Sequence, residues 1–211
     1  MSSSTIDALV ADCSPVRPIA PRHGIALVLA AMAGTIAAVA ALFGLRGDVT
    51  ELRPPEMVMM RSGALLLLGA AARAAIAASV RPSIGERRDG WRWAVAAGAL
   101  FPLSSAVLML RSGQLPADLV MGPDPLACLG ISLAGAGVIG GVLTAWLRRG
   151  AVTELPRAGL LVGLAAGAFG AFAYNLHCPS LSLHYVAVWY SLAIGLSAIA
   201  GRLLVPRMLR W

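Results

Sequence analysis

The stretch Tyr174-Asn175-Leu176-His177-Cys178-Pro179 ends one long apolar segment and leads directly into the next. It places a thiol, an imidazole and a proline at the predicted end of an apolar helix, because proline lacks a backbone N–H and disfavours a helix interior. A second cysteine, Cys128, lies near the start of another apolar segment. The corner at 174–179 therefore predicts a turn between two antiparallel helices.

The chain is apolar over most of its length. Of its 211 residues, 58% are hydrophobic and 13% are charged, whereas a soluble domain carries about a quarter charged residues. Six apolar segments have about the 20 residues that a helix needs to cross a membrane. They lie at about 25–45, 57–80, 91–110, 126–147, 158–176 and 184–205.

These segments predict an all-α membrane protein, a six-helix transmembrane bundle, because lipid offers no partners for backbone N–H and C=O groups. The predicted parts are an N-terminal leader at 1–24, the bundle at 25–205 and a tail at 206–211. The first apolar segment is longer and further from Met1 than the core of a signal peptide. We therefore expect that segment to remain as a membrane anchor.

The placement of the arginines predicts the orientation of the bundle. All 17 basic residues are arginines, and the formal net charge is +7. Cytoplasmic loops carry the excess of basic residues in membrane proteins. One side holds 12 of them, at positions 17, 22, 81, 87, 88, 92, 148, 149, 157, 202, 207 and 210, and the other holds 3, at 46, 53 and 111. Both termini are therefore predicted to be cytoplasmic, in a multi-pass protein of the bacterial inner membrane.

This topology puts Cys128 and Cys178 on the outward face at similar depth. In a bacterium that face is oxidising, so two thiols there can form a disulfide or bind a soft metal ion, with His177 and His184 as possible auxiliary ligands. The alternatives are that each thiol is a small apolar filler and that each histidine is an interfacial residue bonded to a loop carbonyl. Pro179 predicts that the Cys178 thiol is exposed at the membrane edge.

Other residues within the segments predict packing and polar contacts. Gly159, Gly163 and Gly167 recur every four positions, which lets helix backbones approach closely. Arg61 and Arg73 fall inside the second helix and are predicted to extend their charged ends towards the interfaces. Asn175 is an uncommon side chain at this depth, and we expect it to bond across helices near the cysteines.

Several classes of function have no signature in the sequence. It contains no Walker loop, zincin motif or nucleophile elbow, so no enzyme activity and no cofactor are predicted. No basic run is interleaved with aromatic residues, so direct nucleic-acid binding is not expected either. A small transporter and a thiol–disulfide membrane enzyme remain as alternatives, although the outer face lacks a Cys-x-x-Cys motif.

The C-terminal half carries a more specific pattern. Besides the corner at 174–179, it includes Leu147-Arg148-Arg149-Gly150-Ala151 with Pro156, the glycine-rich run 163–171, Trp189-Tyr190 and the closing segment 206–211. This pattern resembles the NrsF family of six-helix inner-membrane proteins, which are negative regulators of extracytoplasmic-function sigma factors. Ser180 stands where the family usually has an acidic residue.

The resemblance implies an anti-sigma factor that holds its sigma factor at the cytoplasmic side of the membrane. It implies that Cys128 and Cys178 are the sensing pair, for an oxidant or for a soft metal bound transiently by the two thiols. It also implies a sigma-contacting leader at Ile6 to Arg17, in which Asp7, Leu9, Val10 and Arg17 are the candidate partner-binding residues.

Overall fold

A computed structural model of the chain describes residues 7, 11, 21–79, 90–112, 121–122, 124–150, 152 and 154–209. This part of the chain is helical, with connecting turns and no strand. The helices are α1 (Pro21–Phe43), α2 (Gly47–Thr50), α3 (Glu56–Ser79), α4 (Gly90–Ser112), α5 (Pro125–Leu147), α6 (Leu155–Asn175) and α7 (Leu183–Leu209).

Each of the six long helices begins and ends within four residues of a predicted segment. Five of them are long and apolar enough to cross a membrane: Arg22–Phe43, Glu56–Ala78, Pro125–Leu147, Leu155–Asn175 and Leu183–Leu209. Helix α4 lies where the third span is predicted but is not among these five, so the prediction of six spans is supported for five of them. The tail predicted at 206–211 begins inside α7, because the helix continues through Pro206 to Leu209.

Helix α6 is the centre of the fold. It packs against α3, α5 and α7 along most of its length and also touches α1 and α4. Most of its residues are buried. The run from Leu161 to Ala171 is buried without a break, and its glycines are buried too. A helix that is apolar on every side is expected to lie inside a bundle, and this one is surrounded by its neighbours.

Glycines bring the backbones of α5, α6 and α7 into direct contact. A Cβ added at Gly163 would lie 2.6 Å from the Cα of Ala198 in α7, and one added at Gly167 would lie 2.9 Å from the Cα of Ile194. Gly159 faces the carbonyl of Gly201 in the same way. The other side of α6 meets α5, where a Cβ on Gly170 would lie 2.7 Å from the backbone nitrogen of Ala136. These three helices therefore form one tightly packed unit.

The remaining long helices pack onto this unit through side chains. An added Cβ at Gly69 in α3 would meet the ring of Phe169, and one at Gly98 in α4 would meet the side chain of Leu164. Side chains can adopt other rotamers more readily than a backbone can move. Contacts of this kind are easier to rearrange than those within the α5–α6–α7 unit.

Helix α5 begins where its sequence predicts. Asp124 is the N-cap residue, and its carboxylate accepts a hydrogen bond of 3.0 Å from the Ala127 N–H, while Pro125 occupies the first turn. Both features stabilise a helix start. This start lies at the same end of the bundle as the last turn of α6 and the first turn of α7. We call that end, with residues 43–46, 124–128 and 174–185, the cysteine end.

Candidate functional site

Two buried thiols mark the cysteine end. Cys128 lies in the first turn of α5 and is 0% exposed, and Cys178 follows the last turn of α6 and is 1% exposed. Both are free cysteines. The prediction that Pro179 leaves the Cys178 thiol exposed is therefore wrong. The turn does end α6, but the connection after α1 and the start of α3 cover it. Cys13 lies outside the described residues.

Two tyrosines of α7 contact the segments that carry the thiols. The Tyr185 hydroxyl donates a hydrogen bond of 3.0 Å to the Asp124 carbonyl, which also accepts a bond of 3.2 Å from the Cys128 N–H. The Tyr190 hydroxyl donates to the Oδ1 of Asn175, three residues before Cys178. Helix α7 therefore contacts both of the segments that carry the cysteines.

Gly122 makes room for one of these tyrosines. Its φ of +53° lies in the left-handed region that favours glycine. A Cβ at this position would lie 2.5 Å from the Tyr185 ring. The connection into α5 therefore fits closely over the ring of the tyrosine whose hydroxyl bonds to Asp124.

Arg46 attaches the connection after α1 to the cysteine corner. Its backbone N–H donates to the Leu176 carbonyl at 3.1 Å, and its guanidinium Nη1 donates to the Cys178 carbonyl. The opposite edge of the guanidinium holds Asp48 through two bonds, Nε to Oδ1 at 2.9 Å and Nη2 to Oδ2 at 2.6 Å. A bidentate pair of this kind fixes the guanidinium plane, so Asp48 orients the group that binds the corner.

Arg61 of α3 binds the same corner from another side. Its Nη1 donates a hydrogen bond of 2.8 Å to the Ser180 carbonyl, and the residue is 6% exposed. The prediction that this arginine reaches the interface is therefore wrong, because the corner accepts its charged end inside the bundle. Arg73, the other arginine predicted inside this helix, is half-buried.

Asn175 bonds across helices, as predicted from the sequence. It is 0% exposed, its Nδ2 donates to the Ser62 hydroxyl of α3 at 2.7 Å, and its Oδ1 accepts a bond of 3.4 Å from the Tyr190 hydroxyl of α7. The last residue of α6 therefore links α3 to α7 within the cysteine corner, three residues before Cys178.

The two histidines of this region lie differently from each other. His177 is half-buried, its Nδ1 lies 3.0 Å from the Gly44 carbonyl, and its ring packs against Phe43 and Tyr174. His184 is half-buried in the first turn of α7. Among the described residues, no three histidine, cysteine or acidic side chains are grouped so as to hold a metal ion. The thiols themselves offer two soft ligands.

An open cavity of about 400 Å³ lies beside the corner. Its lining includes Arg46, Asp48, His177 and Pro179. A small solute that enters this cavity reaches the backbone on both sides of Cys178. The cavity is therefore one approach from outside the bundle to the cysteine corner.

Sequence reasoning missed the role of Arg46. It counted this residue only as one of the few arginines on the outward side, whereas the structure places it at the corner, 132 positions away in sequence from its acceptor on Cys178. The available signal was local: Arg46 and Asp48 are spaced for a bidentate pair in a short turn that starts after Gly44. Of the candidate partner-binding residues, Asp7 is helical and exposed, and Leu9, Val10 and Arg17 lie outside the described residues.

The Arg46–Asp48 pair predicts a dependence on acidic pH. The hydrogen bonds from Arg46 lower the pKa of Asp48 below its ordinary value, and the same bonds raise the pKa of Arg46. A carboxyl with a lowered pKa contributes stability above its unfolded-state pKa of about 3.9, and that contribution is lost as pH falls through the folded-state value. We expect the melting temperature of the wild type in detergent to fall more steeply below about pH 4 than that of Asp48→Asn.

The control for this prediction is Glu51→Gln, which makes the same change of charge in the same loop. It should keep the pH profile of the wild type. Identical profiles for Asp48→Asn and the wild type would show that the pair does not contribute to stability.

Comparison with known proteins identifies the family of the chain. A sequence profile of the NrsF family, described as negative regulator of sigma F, matches residues 9–211. The probable anti-sigma-F factor NrsF of Azospira oryzae is 38% identical over 120 residues, which is 56% of this chain and 52% of that protein. The anti-sigma-F factor NrsF of Caulobacter vibrioides is 28% identical over 218 aligned positions, covering 98% of this chain and 97% of that protein.

The match to the Azospira protein spans about half of that protein's length, whereas the match to the Caulobacter protein is nearly complete. No solved structure matches the chain. Because the family profile extends over almost the whole sequence, the assignment does not depend on one motif. The chain belongs to the NrsF family, the negative regulators of sigma F.

Proposed function

We propose that this protein is a six-span anti-sigma factor of the bacterial inner membrane. It sequesters an extracytoplasmic-function sigma factor on the cytoplasmic side and releases it when Cys128 and Cys178, on the periplasmic side, react with an oxidant or a soft metal ion. The observation that carries the proposal is the placement of two free, buried thiols at one end of the bundle, one at the start of α5 and one in the corner after α6.

The distribution of arginines supports the orientation. Arg46 lies at the cysteine end, whereas Arg148 and Arg149 follow α5 at the opposite end and Arg207 lies in the last turn of α7. Basic residues accumulate on the cytoplasmic side, so the cysteine end faces the periplasm. That compartment permits disulfides, and the leader with Asp7 and Arg17 is then on the side where a sigma factor is found.

A bond between the thiols, direct or through a metal ion, would change the position of the first turn of α5 relative to the corner after α6. Cys128 moves with the first turn of α5, and Cys178 moves with the corner after α6. Because α5, α6 and α7 are packed backbone to backbone, they absorb little of the displacement. The change therefore passes to α1 and α3, which hold the corner through Arg46 and Arg61. A signal can release the sigma factor only if it favours one of two arrangements over the other, and a new bond at the pair supplies that preference.

The test is replacement of each cysteine in cells that carry a sigma-dependent reporter. Cys128→Ser and Cys178→Ser should keep the reporter off and should abolish its induction by diamide, a thiol oxidant, or by cadmium chloride, a soft metal salt. Serine has nearly the same size but neither forms a disulfide nor binds soft metals well, so the buried site should tolerate it.

Cys13→Ser is the matched control, because this cysteine is predicted on the cytoplasmic side, and it should respond like the wild type. Normal induction of both Cys128→Ser and Cys178→Ser by both reagents would rule out sensing by the pair. Co-purification of the sigma factor with each variant from uninduced membranes shows that sequestration is intact.

A further inference from the structure

Arg61 is a buried cation with most of its hydrogen-bonding capacity unused. It is 6% exposed, and its one observed bond goes from Nη1 to the neutral carbonyl of Ser180. Its Nε and Nη2 are buried and have no acceptor among the described residues. Charged groups inside a membrane protein normally pair with an opposite charge or with several acceptors, so Arg61 is held in an unfavourable setting.

Arg46 shows what this setting lacks. Both arginines use Nη1 to bind a carbonyl of the same corner, Cys178 for Arg46 and Ser180 for Arg61. Arg46 satisfies its other edge, Nε and Nη2, with the carboxylate of Asp48. The corresponding edge of Arg61 is empty among the described residues. The two arginines therefore hold the corner in the same way, but only Arg46 also holds a carboxylate through direct hydrogen bonds.

Arg61 also has a second position within its reach. It lies five residues after Glu56, the first residue of α3, which is about 7.5 Å along the helix axis at 1.5 Å per residue. An arginine side chain can extend over such a distance to bring its charge to the interface. There, water and lipid phosphates satisfy Nε and Nη2. Only the bond to Ser180 and the surrounding packing hold the side chain inside.

We propose that Arg61 is the charge that favours the releasing arrangement once the cysteine pair has reacted. This inference rests on the proposed function. Displacement of the corner removes the Ser180 carbonyl from Arg61, and the guanidinium then moves outward to the interface. Helix α3 moves with it, since this helix packs on α6 through side chains such as Phe169. The far end of α3 leads into the arginine-rich segment that contains Arg81, Arg87 and Arg88, on the side predicted to face the sigma factor.

The decisive variant is Arg61→Met. Methionine fills much of the same space without a charge, and replacement of a buried charge by an apolar side chain is often neutral or stabilising. The resting arrangement should therefore persist, while the gain from moving the charge outward is lost. We expect Arg61→Met to retain the sigma factor and to leave the reporter uninduced by diamide and by cadmium chloride. Arg61→Lys keeps a charge that can move outward and should remain inducible.

The expected result differs from that of a misfolded protein, because a misfolded anti-sigma factor cannot retain its sigma factor and leaves the reporter on. Arg73→Met removes the other arginine of α3, far from the corner, and should respond like the wild type. A reporter that is constitutively on in Arg61→Met would show that Arg61 only holds the corner, and normal induction would show that the charge is dispensable. Either result overturns the inference.

The cysteine variants, measured in parallel, separate this inference from the proposed function. If Cys128→Ser and Cys178→Ser fail to respond while Arg61→Met responds normally, only the role of Arg61 is refuted. If both cysteine variants respond normally, the sensing pair itself is refuted, and the inference about Arg61 falls with it.

Discussion

Replacing Gly163 by alanine should strongly destabilise the bundle, although it adds a single methyl group. The new Cβ would overlap the Ser197 carbonyl oxygen and would lie 2.6 Å from the Cα of Ala198. Neither neighbour is a flexible side chain, so α6 and α7 must separate along their length. We expect a loss in the free energy of unfolding at or above the upper end of the range of about 1–3 kcal/mol for overpacking. Unfolding by sodium dodecyl sulfate in mixed micelles measures this loss.

The matched control is Gly137→Ala in α5. Nothing lies within 4 Å of a Cβ added at this position, and alanine favours a helix over glycine by about 1 kcal/mol. The same substitution should therefore be neutral or stabilising at Gly137 and strongly destabilising at Gly163. Equal stability of Gly163→Ala and the wild type would mean that α6 and α7 do not approach as closely as described.

The sequence predicted the existence of this close packing but not its geometry. Glycines spaced every four residues mark one face of a helix, so Gly159, Gly163 and Gly167 identified a packing surface. Spacing along one helix contains no information about the neighbour. That this surface meets α7, while Gly170 meets α5, depends on how three helices are arranged in space.

The position of the two cysteines was more predictable than their environment. Alternating helices with short connections place the start of α5 and the end of α6 at one end of a bundle, so Cys128 and Cys178 were expected at similar depth. Their burial was not foreseen, because the groups that cover and hold the corner come from distant parts of the chain. Arg46 and Arg61 are 132 and 119 positions from their acceptors on Cys178 and Ser180. Hydropathy describes each segment separately and cannot report such contacts.

The same limit applies to Arg46 and Arg61. The sequence predicted Arg46 only as a charge on the outward side and Arg61 as a side chain that extends to the interface. An arginine near the end of an apolar segment is usually satisfied by water at the interface. At Arg61 a carbonyl of the corner replaces water as the acceptor, because Pro179 and Ser180 continue in a non-helical conformation whose carbonyls are free to accept. The corner that the sequence marks as the end of α6 is therefore also the feature that brings Arg61 inside.

Replacing Asn175 by leucine should destabilise the cysteine end in particular. Asn175 is fully buried and links the Ser62 hydroxyl of α3 to the Tyr190 hydroxyl of α7. Leucine is of similar size but accepts and donates nothing. The buried Tyr190 hydroxyl therefore loses its acceptor, and the half-buried Ser62 hydroxyl keeps only its bond to the Val58 carbonyl, at a cost of about 1–3 kcal/mol. Because Asn175 lies in the corner, three residues before Cys178, labelling of Cys178 by a maleimide should also become faster. Detergent unfolding and labelling of the same purified variant measure the two effects.

Ser132→Ala is the control, since the buried Ser132 hydroxyl has no partner among the described residues, and its removal should leave both quantities unchanged. If Asn175→Leu is as stable as the wild type and its thiol is labelled no faster, the hydrogen bonds of Asn175 do not hold the corner in place.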